Sequence, residues 1–599
     1  MKSEMFYGWA GKIAEIDLSS GKARIEDIDH NIIKNYLGGR GLNIKILYDR
    51  LRPGTKAFDP DNIIVFSSGP LVRTGFPVAN RCVVSTKSPL TYYAMCLAGG
   101  YFSAELKSAG LDAIIITGSS PKPVQILIED GQIKIEDASD LWGLGTYETQ
   151  IKIQNQWGKK YRVACIGPAG EKLSRMASVM FDQRTAGRGG IGAVMGSKKL
   201  KAISVKGSGR ISIYNEDRMK SLIKDLFNEV KKKPGPRLSF PKEGTLGAVE
   251  NLYKHGLMPS KNFQQGVIEH IEAIGLKGLL PFAEKHSITC FNCPVKCTNA
   301  FKISANQMIV HGPEYESFAC FGGMCAISDP QTIIQANHLC NDLGLDTIST
   351  GVTLSFAMEC IEKGLISKLD NDSKHLNFGK ADTFLKAIVK TGLRQGDFPF
   401  MIGEGTKILS EFIGNESSKF APQVKGQEIA MYEPRASMGM ALVFAIANRG
   451  ACHHSQGHPV KEEIVNGSLY DPKGKGKLIK ELAQSRILID SVSYCSFLTG
   501  ALHWSLPEAL SAATGIDYSW KMLEDISDRI STLERLFILR EGCTSKEDTL
   551  PSRFIEEPLP NGPASGHKVD RQLLNQMIIE YYNACNWGVD GVPGENAIK

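Results

Sequence analysis

The sequence predicts an α+β protein in which a β-rich N-terminal platform is followed by two mainly helical domains. Three observations carry that prediction. Up to about residue 210, short apolar runs with period-two alternation are punctuated by glycine. The stretch 231–237, Lys-Lys-Lys-Pro-Gly-Pro-Arg, is dense in residues that break regular structure. Beyond it, helical periodicity dominates.

In chain order, residues 12–18 alternate as a strand before the turn residues Ser19, Ser20 and Gly21, and residues 63–66 form a second apolar run. Residues 124–129 and 132–136 alternate on either side of Asp130 and Gly131, the signature of a hairpin with a two-residue turn. In the helical part, Asp329 and Pro330 open one helix, and Asp346 precedes another whose apolar residues include Leu354, Phe356, Met358 and Ile361. The expected division is 1–210, 211–420 and 421–599, with no internal repeat.

Composition narrows the function classes. Hydrophobic residues make up 42% of the 599 and charged residues 22%, the range of a globular chain of several domains. A net charge of +6, from 70 basic and 64 acidic residues spread along the chain, gives no reason to invoke nucleic acid or a membrane surface. The N-terminus has no apolar signal-like run, and no uncharged stretch approaches the ~18 residues of a membrane span, so a soluble, cytoplasmic protein is expected. Fourteen irregularly spaced cysteines read as reduced thiols with one ligand cluster. Cys165, Cys340 and Cys360 sit in apolar surroundings as small core residues.

The ligand cluster is Cys290, Cys293 and Cys297. Thiolates at this spacing on one loop can reach three corners of a 4Fe-4S cube, with a fourth cysteine arriving from elsewhere. Structural zinc, completed by His286 or His311, is the alternative, although no second cysteine pair follows. The order differs from the Cys-x3-Cys-x2-Cys of radical SAM enzymes.

Glycine loops at 38–41, 98–100 and 186–192 permit close backbone approach to an anion, or simply make tight turns. The last formally fits G-x-G-x-x-G, but no clean buried strand precedes it, which disfavours nicotinamide binding. Arg81, Arg184 and Arg188 lie in or just before such segments, and guanidinium forks suit phosphates and pterin carbonyls.

Together these segments resemble the aldehyde ferredoxin oxidoreductase family, tungsten enzymes with a bis-pterin cofactor beside one 4Fe-4S cluster. The resemblance runs through residues 38–42, 85–90, 165–171 and 189–198, and continues through 312–316, 339–348, 448–453 and 548–551. It implies that Cys495, ending the segment 490–495 (Asp-Ser-Val-Ser-Tyr-Cys), is the fourth cluster ligand. It implies pterin contacts from paired Asp-x-x-Gly-Leu-Asp/Cys segments, here Asn341 to Asp346 and Asp490 to Cys495. It also implies a magnesium bridging the pterin phosphates, held by main-chain carbonyls near Leu97, Gly99 and Gly100 and next to Arg184 and Thr185.

Three departures stand out: Asn341 in place of aspartate, Ser493-Tyr494 in place of Gly-Leu with a possible backbone shift near the cluster, and Leu97 where asparagine is common. Asparagine still offers a hydrogen-bond acceptor. The implied reaction oxidises an aldehyde to a carboxylic acid and passes electrons through the cluster to ferredoxin or an iron-sulfur subunit. Glu316 is the implied base and His453 the implied electrophile or acid, with Glu314 and with His454 and His458 as competitors.

Cys320 and Cys325 are expected to pack in the core. A hydroxycarboxylate oxidoreductase, an aryl-CoA reductase subunit and a cluster-only electron carrier are the alternative readings. The choice between tungsten and molybdenum stays open, and homodimerisation is a family habit with no interface legible here.

Overall fold

Alternation in the first two hundred residues becomes two six-stranded sheets. The computed structural model describes residues 6–232, 243–305, 307–366, 373–498 and 505–594. Most of the breaker-rich stretch, 233–237, lies outside them, as does the side chain of His286.

The first sheet contains β1 (Lys12–Asp17), β2 (Lys22–Asp27), β3 (Ile64–Ser67), β4 (Cys82–Thr86), β5 (Ala94–Ala98) and β6 (Ala113–Thr117), in the order β2-β1-β6-β3-β4-β5. The second contains β7 (Val124–Glu129), β8 (Gln132–Asp137), β9 (Arg162–Cys165), β10 (Val179–Phe181), β11 (Arg184–Ala186) and β12 (Leu200–Lys206), in the order β11-β10-β9-β12-β7-β8. Each has one parallel pair, β1 with β6 and β7 with β12, and is otherwise antiparallel. The β7–β8 turn places Asp130 at φ 45° and Gly131 at φ 81°, the left-handed pair a two-residue hairpin needs.

Period-two alternation decides which core each side chain joins. Ile64, Phe66 and Val84 meet Ile126, Phe181 and Ile203 between the sheets. Val65 and Val83 point the other way, onto the helix Gly39–Arg50 and onto residues of the helices Lys475–Ser491 and Trp520–Arg540.

Helices take over as expected. Asp329 caps Pro330–Leu343 by accepting from Gln331 N and Thr332 N. Asp346 caps Thr347–Glu362 through Ile348 N and Ser349 N. A three-stranded antiparallel sheet, β13 (Ala283–Ile288), β14 (Thr298–Lys302) and β15 (Ile309–His311), frames the cysteine loop. The large core of the helical part draws on residues from 246 to 479 and again on 550 to 587, so the C-terminal helix Arg571–Ala584 completes a core begun three hundred residues earlier.

Candidate redox site

Two six-residue segments bind the helical part to the sheets in the same way. In the first, Ser178 N donates to Gly344 O at 2.8 Å, Asp346 N donates to Met176 O at 2.9 Å, and Ala177 bridges Leu345. In the second, Asn80 N and Arg81 N both donate to Ser493 O at 3.0 Å, Cys495 N donates to Val78 O at 3.1 Å, and Ala79 bridges Tyr494. Gly344 sits at φ 73° and Ser493 at φ 61°. Ser493 thus takes the left-handed conformation of the glycine it replaces, at a cost of about 1 kcal/mol, so the departure leaves the backbone in register. Gly39 serves the same junction: a Cβ there would lie 2.4 Å from Asp490 O.

The second grip delivers Cys495 to the cysteine loop. Phe291 N donates to Gly100 O at 3.0 Å, Val78 N donates to Asn292 O at 3.0 Å, and Asn80 Nδ2 donates to Phe291 O at 2.8 Å. One stretch of the platform therefore anchors both the loop and the distant fourth cysteine. Arg81 lies among the thiols: its Nη2 donates to Cys495 Sγ at 2.8 Å, and it also faces Cys290 and Cys297.

Burial disfavours the Arg81 charge, but Cys495 and Cys290 overcome this and raise its proton affinity. Cys495 is the converse, since burial opposes the thiolate and Arg81 outweighs it to lower the pKa. Burial pushes Cys293 up and Cys297 up to about 12. Gly99 leaves room for this arrangement, because a Cβ there would lie 2.8 Å from Cys290 Sγ and 2.7 Å from Arg81 Nη1.

Four thiols from two segments around the half-buried Arg81 guanidinium form a donor set that would suit a cubane cluster, which carries net negative charge. Among the described residues, no three His, Cys, Asp or Glu side chains are placed to hold a single metal ion. His311, the zinc competitor whose side chain is described, is pushed down to about 4 by burial and by Arg184. Leu97 pairs with Val83 across β4–β5 and joins the apolar group that includes Cys293, Cys297 and Cys495.

Arg184 Nη1 bonds Thr298 Oγ1, next to Cys297, and lies 3.7 Å from Glu314 Oε1. Glu314 accepts from Thr298 Oγ1 at 2.6 Å and from Thr245 Oγ1. Its carboxylate therefore serves the cluster side. Glu316, two residues on in the turn Tyr315–Phe318, faces elsewhere. Its Oε2 accepts from Met431 N at 3.0 Å, and its Oε1 lies 3.3 Å from His453 Nε2.

Burial raises the Glu316 pKa to about 8. Burial, His458 and Arg188 hold His453 well below the usual imidazole value. At neutral pH the pair is a carboxylic acid beside a neutral imidazole. His454 and His458 are also held neutral, with the His454 ring 3.9 Å from that of His453 and Tyr432 packed edge-on to His458.

Arg188 links this pair to the first grip. Its Nε lies 3.5 Å from Asp346 Oδ2, and its Nη atoms donate to Ala451 O at 2.8 Å and Glu428 O at 2.5 Å. Thr185 lies on the same side, with Gly187 between it and Asp346. Asn341 stands further out, its carbonyl accepting from Thr146 Oγ1 at 2.9 Å and its side chain meeting Tyr147. Asp490 is held by Arg40 at 3.2 Å and Arg486 at 2.9 Å.

Among the buried polar atoms without a protein hydrogen bond are Asn80 Oδ1 and Ser493 Oγ at the second grip and His453 Nδ1 of the pair. Such atoms are costly unless something polar meets them, as a pterin would. The glycine run after β11 does not belong to a dinucleotide fold. β11 is a three-residue antiparallel strand, and no parallel βαβ unit surrounds it.

Cys452 is a residue that sequence reasoning missed. It is buried and accepts from Arg449 Nη2 at 2.5 Å and His454 N at 3.3 Å. Burial would raise its pKa, yet Arg449 and Arg188 overcome this and bring it to about 7. Its position before His453 in the 448–453 segment was the available signal. Cys320 and Cys325 are buried in the large core, donating to Ile348 O and Gly351 O.

Comparison with known proteins identifies the family of the chain. The family model "Aldehyde ferredoxin oxidoreductase, N-terminal domain" matches residues 13–207, and that for domains 2 and 3 matches residues 221–599. The tungsten-containing aldehyde ferredoxin oxidoreductase of Pyrococcus furiosus is 39% identical over 607 residues, covering 98% of both chains. That of Thermococcus kodakarensis is 38% identical over 609 residues, 99% of this chain and 98% of its own. A chain of the active-site complex BamBC of benzoyl coenzyme A reductase superposes with a TM-score of 0.86 at 24% identity, covering 99% of this chain and 97% of its own, which shows a shared fold. With family models covering residues 13–207 and 221–599 and relatives 38–39% identical over nearly the full length of both chains, the chain belongs to the aldehyde ferredoxin oxidoreductase family.

Proposed function

We propose that the protein oxidises an aldehyde to a carboxylic acid, RCHO + H2O → RCOOH + 2H⁺ + 2e⁻, and delivers the electrons singly to ferredoxin or a similar iron-sulfur carrier. The observation that carries this reading is the buried Glu316–His453 pair, 3.3 Å apart, set between two matching grips of which one ends in the cluster cysteine Cys495. When bound, a tungsten or molybdenum bis-pterin would take up the electron pair, and a 4Fe-4S cluster would pass it on one electron at a time.

Cys290, Cys293, Cys297 and Cys495 would hold the cluster, with Arg81 offsetting its negative charge. Arg188, Asp346 and Thr185 on one side, and Arg81 and Asp490 on the other, would hold the pterins, whereas Asn341, expected among them, turns its side chain to Tyr147 instead. Main-chain carbonyls near Leu97, Gly99 and Gly100 and near Arg184 and Thr185 would hold a magnesium, which would offset the negative charge of the cofactor's phosphates.

The chain's own acid–base chemistry lies in the Glu316–His453 pair. Met431 N fixes one carboxyl oxygen of Glu316 and leaves the other facing His453. Once deprotonated, Glu316 takes the proton of the attacking water. His453, neutral across the physiological range, orients the carbonyl or accepts a proton at Nε2 and returns to neutrality readily because its imidazolium is destabilised. No helix among the described residues is long and apolar enough to cross a membrane. A cytoplasmic location, with soluble carriers, belongs to the same reading.

The test is anaerobic purification followed by metal analysis and an aldehyde-dependent dye-reduction assay. About four irons and one tungsten or molybdenum per chain, with turnover on aldehydes, is the expected result. Fully loaded protein that reduces no dye with any aldehyde would overturn it. Cys297→Ser should lower iron content sharply, and full iron occupancy in that variant would remove Cys297 from the ligand set.

A further inference from the structure

Electrons that reach the cluster must leave through its least covered edge, because transfer slows steeply with distance. Cys290, Cys297 and Cys495 are buried, whereas Cys293 is partly exposed. Around Cys293 the surface has a defined chemistry. Phe291 stacks edge-on with Tyr101, ring centroids 6.1 Å apart. The Arg73 guanidinium lies 5.3 Å from the Phe291 centroid, and that of Arg162 lies 4.6 Å from the Tyr101 centroid. Lys296 is exposed.

Cations held against aromatic faces keep their charge while losing side-chain freedom in advance, which suits them to contact a partner. The charges that oppose them are few. Arg162 Nη1 lies 4.0 Å from Asp182 Oδ2, and Glu105 stands nearby, so that flank is close to neutral. Glu314, its side chain 38% exposed, is engaged by Arg184, Thr245 and Thr298. Arg73 and Lys296 make no ion pair with a carboxylate among the described residues.

We propose that an acidic one-electron carrier protein docks over Cys293, on a surface made by Arg73, Lys296 and Arg162 around the rings of Phe291 and Tyr101. This rests on the proposed function, and electron bookkeeping supports it. Each substrate oxidation releases two electrons and each docking removes one, so two carriers must bind, be reduced and leave per turnover. A small, polar, charge-steered contact meets that need, whereas a large apolar one would hold the reduced carrier too long.

The experiment uses the cofactor-loaded protein, an acidic single-cluster ferredoxin as protein acceptor and benzyl viologen as small acceptor. Arg73→Glu should raise the KM for ferredoxin roughly tenfold, with kcat and the viologen rate changed by less than about twofold. Arg73→Gln should give a smaller shift of the same sign. In the unaltered protein, kcat/KM for ferredoxin should fall as salt rises, and Arg73→Glu should flatten that slope. Ferredoxin affinity, measured separately by calorimetry at two salt concentrations, should weaken in parallel. Unchanged affinity and KM in Arg73→Glu with full iron content, or binding insensitive to salt, would overturn the proposal. Arg73-dependent binding without aldehyde-dependent viologen reduction would instead retain the docking surface and remove the reaction.

Discussion

Glu316 keeps its proton at neutral pH because burial removes the water that would solvate its anion and one backbone N–H cannot replace it. As a general base it works only when deprotonated, so kcat/KM should rise with pH through an apparent pKa of about 8 and level off above it. Glu316→Gln should lower turnover by roughly 10²–10⁴-fold and abolish that limb while leaving metal content unchanged. The same shift has a stability consequence. Between the unfolded carboxylate value of about 4.3 and about 8, the native state of the cofactor-free protein binds more protons than the unfolded state. Its stability therefore falls as pH rises through that window, and in Glu316→Gln this contribution is absent, which thermal unfolding at pH 6 and pH 8.5 would show. The loop of Cys290, Cys293 and Cys297 stood out because its spacing is local, whereas Cys495, which the fold brings to Arg81 beside that loop, was named only through the family resemblance. Cys452 was not legible, since its thiolate character depends on the fold aiming the Arg449 guanidinium at the thiol and bringing Arg188 near.

At the level of elements, local chemistry was the reliable guide. Asp130-Gly131 gave a two-residue hairpin, and Asp329 and Asp346 cap the helices they precede. Asp329 accepts from Gln331 N, Thr332 N and Thr332 Oγ1. Asp329→Ala should cost about 1 kcal/mol, measured as a lower denaturant midpoint with activity retained. Strand order was not legible: β6 lies between β1 and β3, and β12 between β7 and β9. Those placements come from non-local pairing, which alternation along a single strand does not encode. The two grips escaped a search for repeats because their likeness resides in six residues and a shared hydrogen-bond pattern, not in a period along the chain.

Over the whole molecule, one buried guanidinium ties the platform to the helices. Arg40 sits in the helix Gly39–Arg50 and bonds both oxygens of Glu534 at 2.7 Å, Asp490 Oδ2 at 3.2 Å and Ser455 O at 2.9 Å. Each of these ionic side chains is about 1% exposed. Arg40→Met would leave Glu534 and Asp490 short of a partner, at a cost of about 3–5 kcal/mol. Expected readouts are a lower unfolding temperature and earlier proteolysis between the platform and the C-terminal helices. The α+β class and the order of β-rich and helical parts were legible from composition and period. How the helical segments share cores was not, because burial at 550–587 is arranged by contacts with residues near 246–479. That sharing also orders events during synthesis. When the ribosome has made the sheets, the cysteine loop and Cys495, the large helical core still lacks Phe554, Leu574, Tyr581 and Trp587. The nascent chain therefore holds all four thiols before the large core can finish closing.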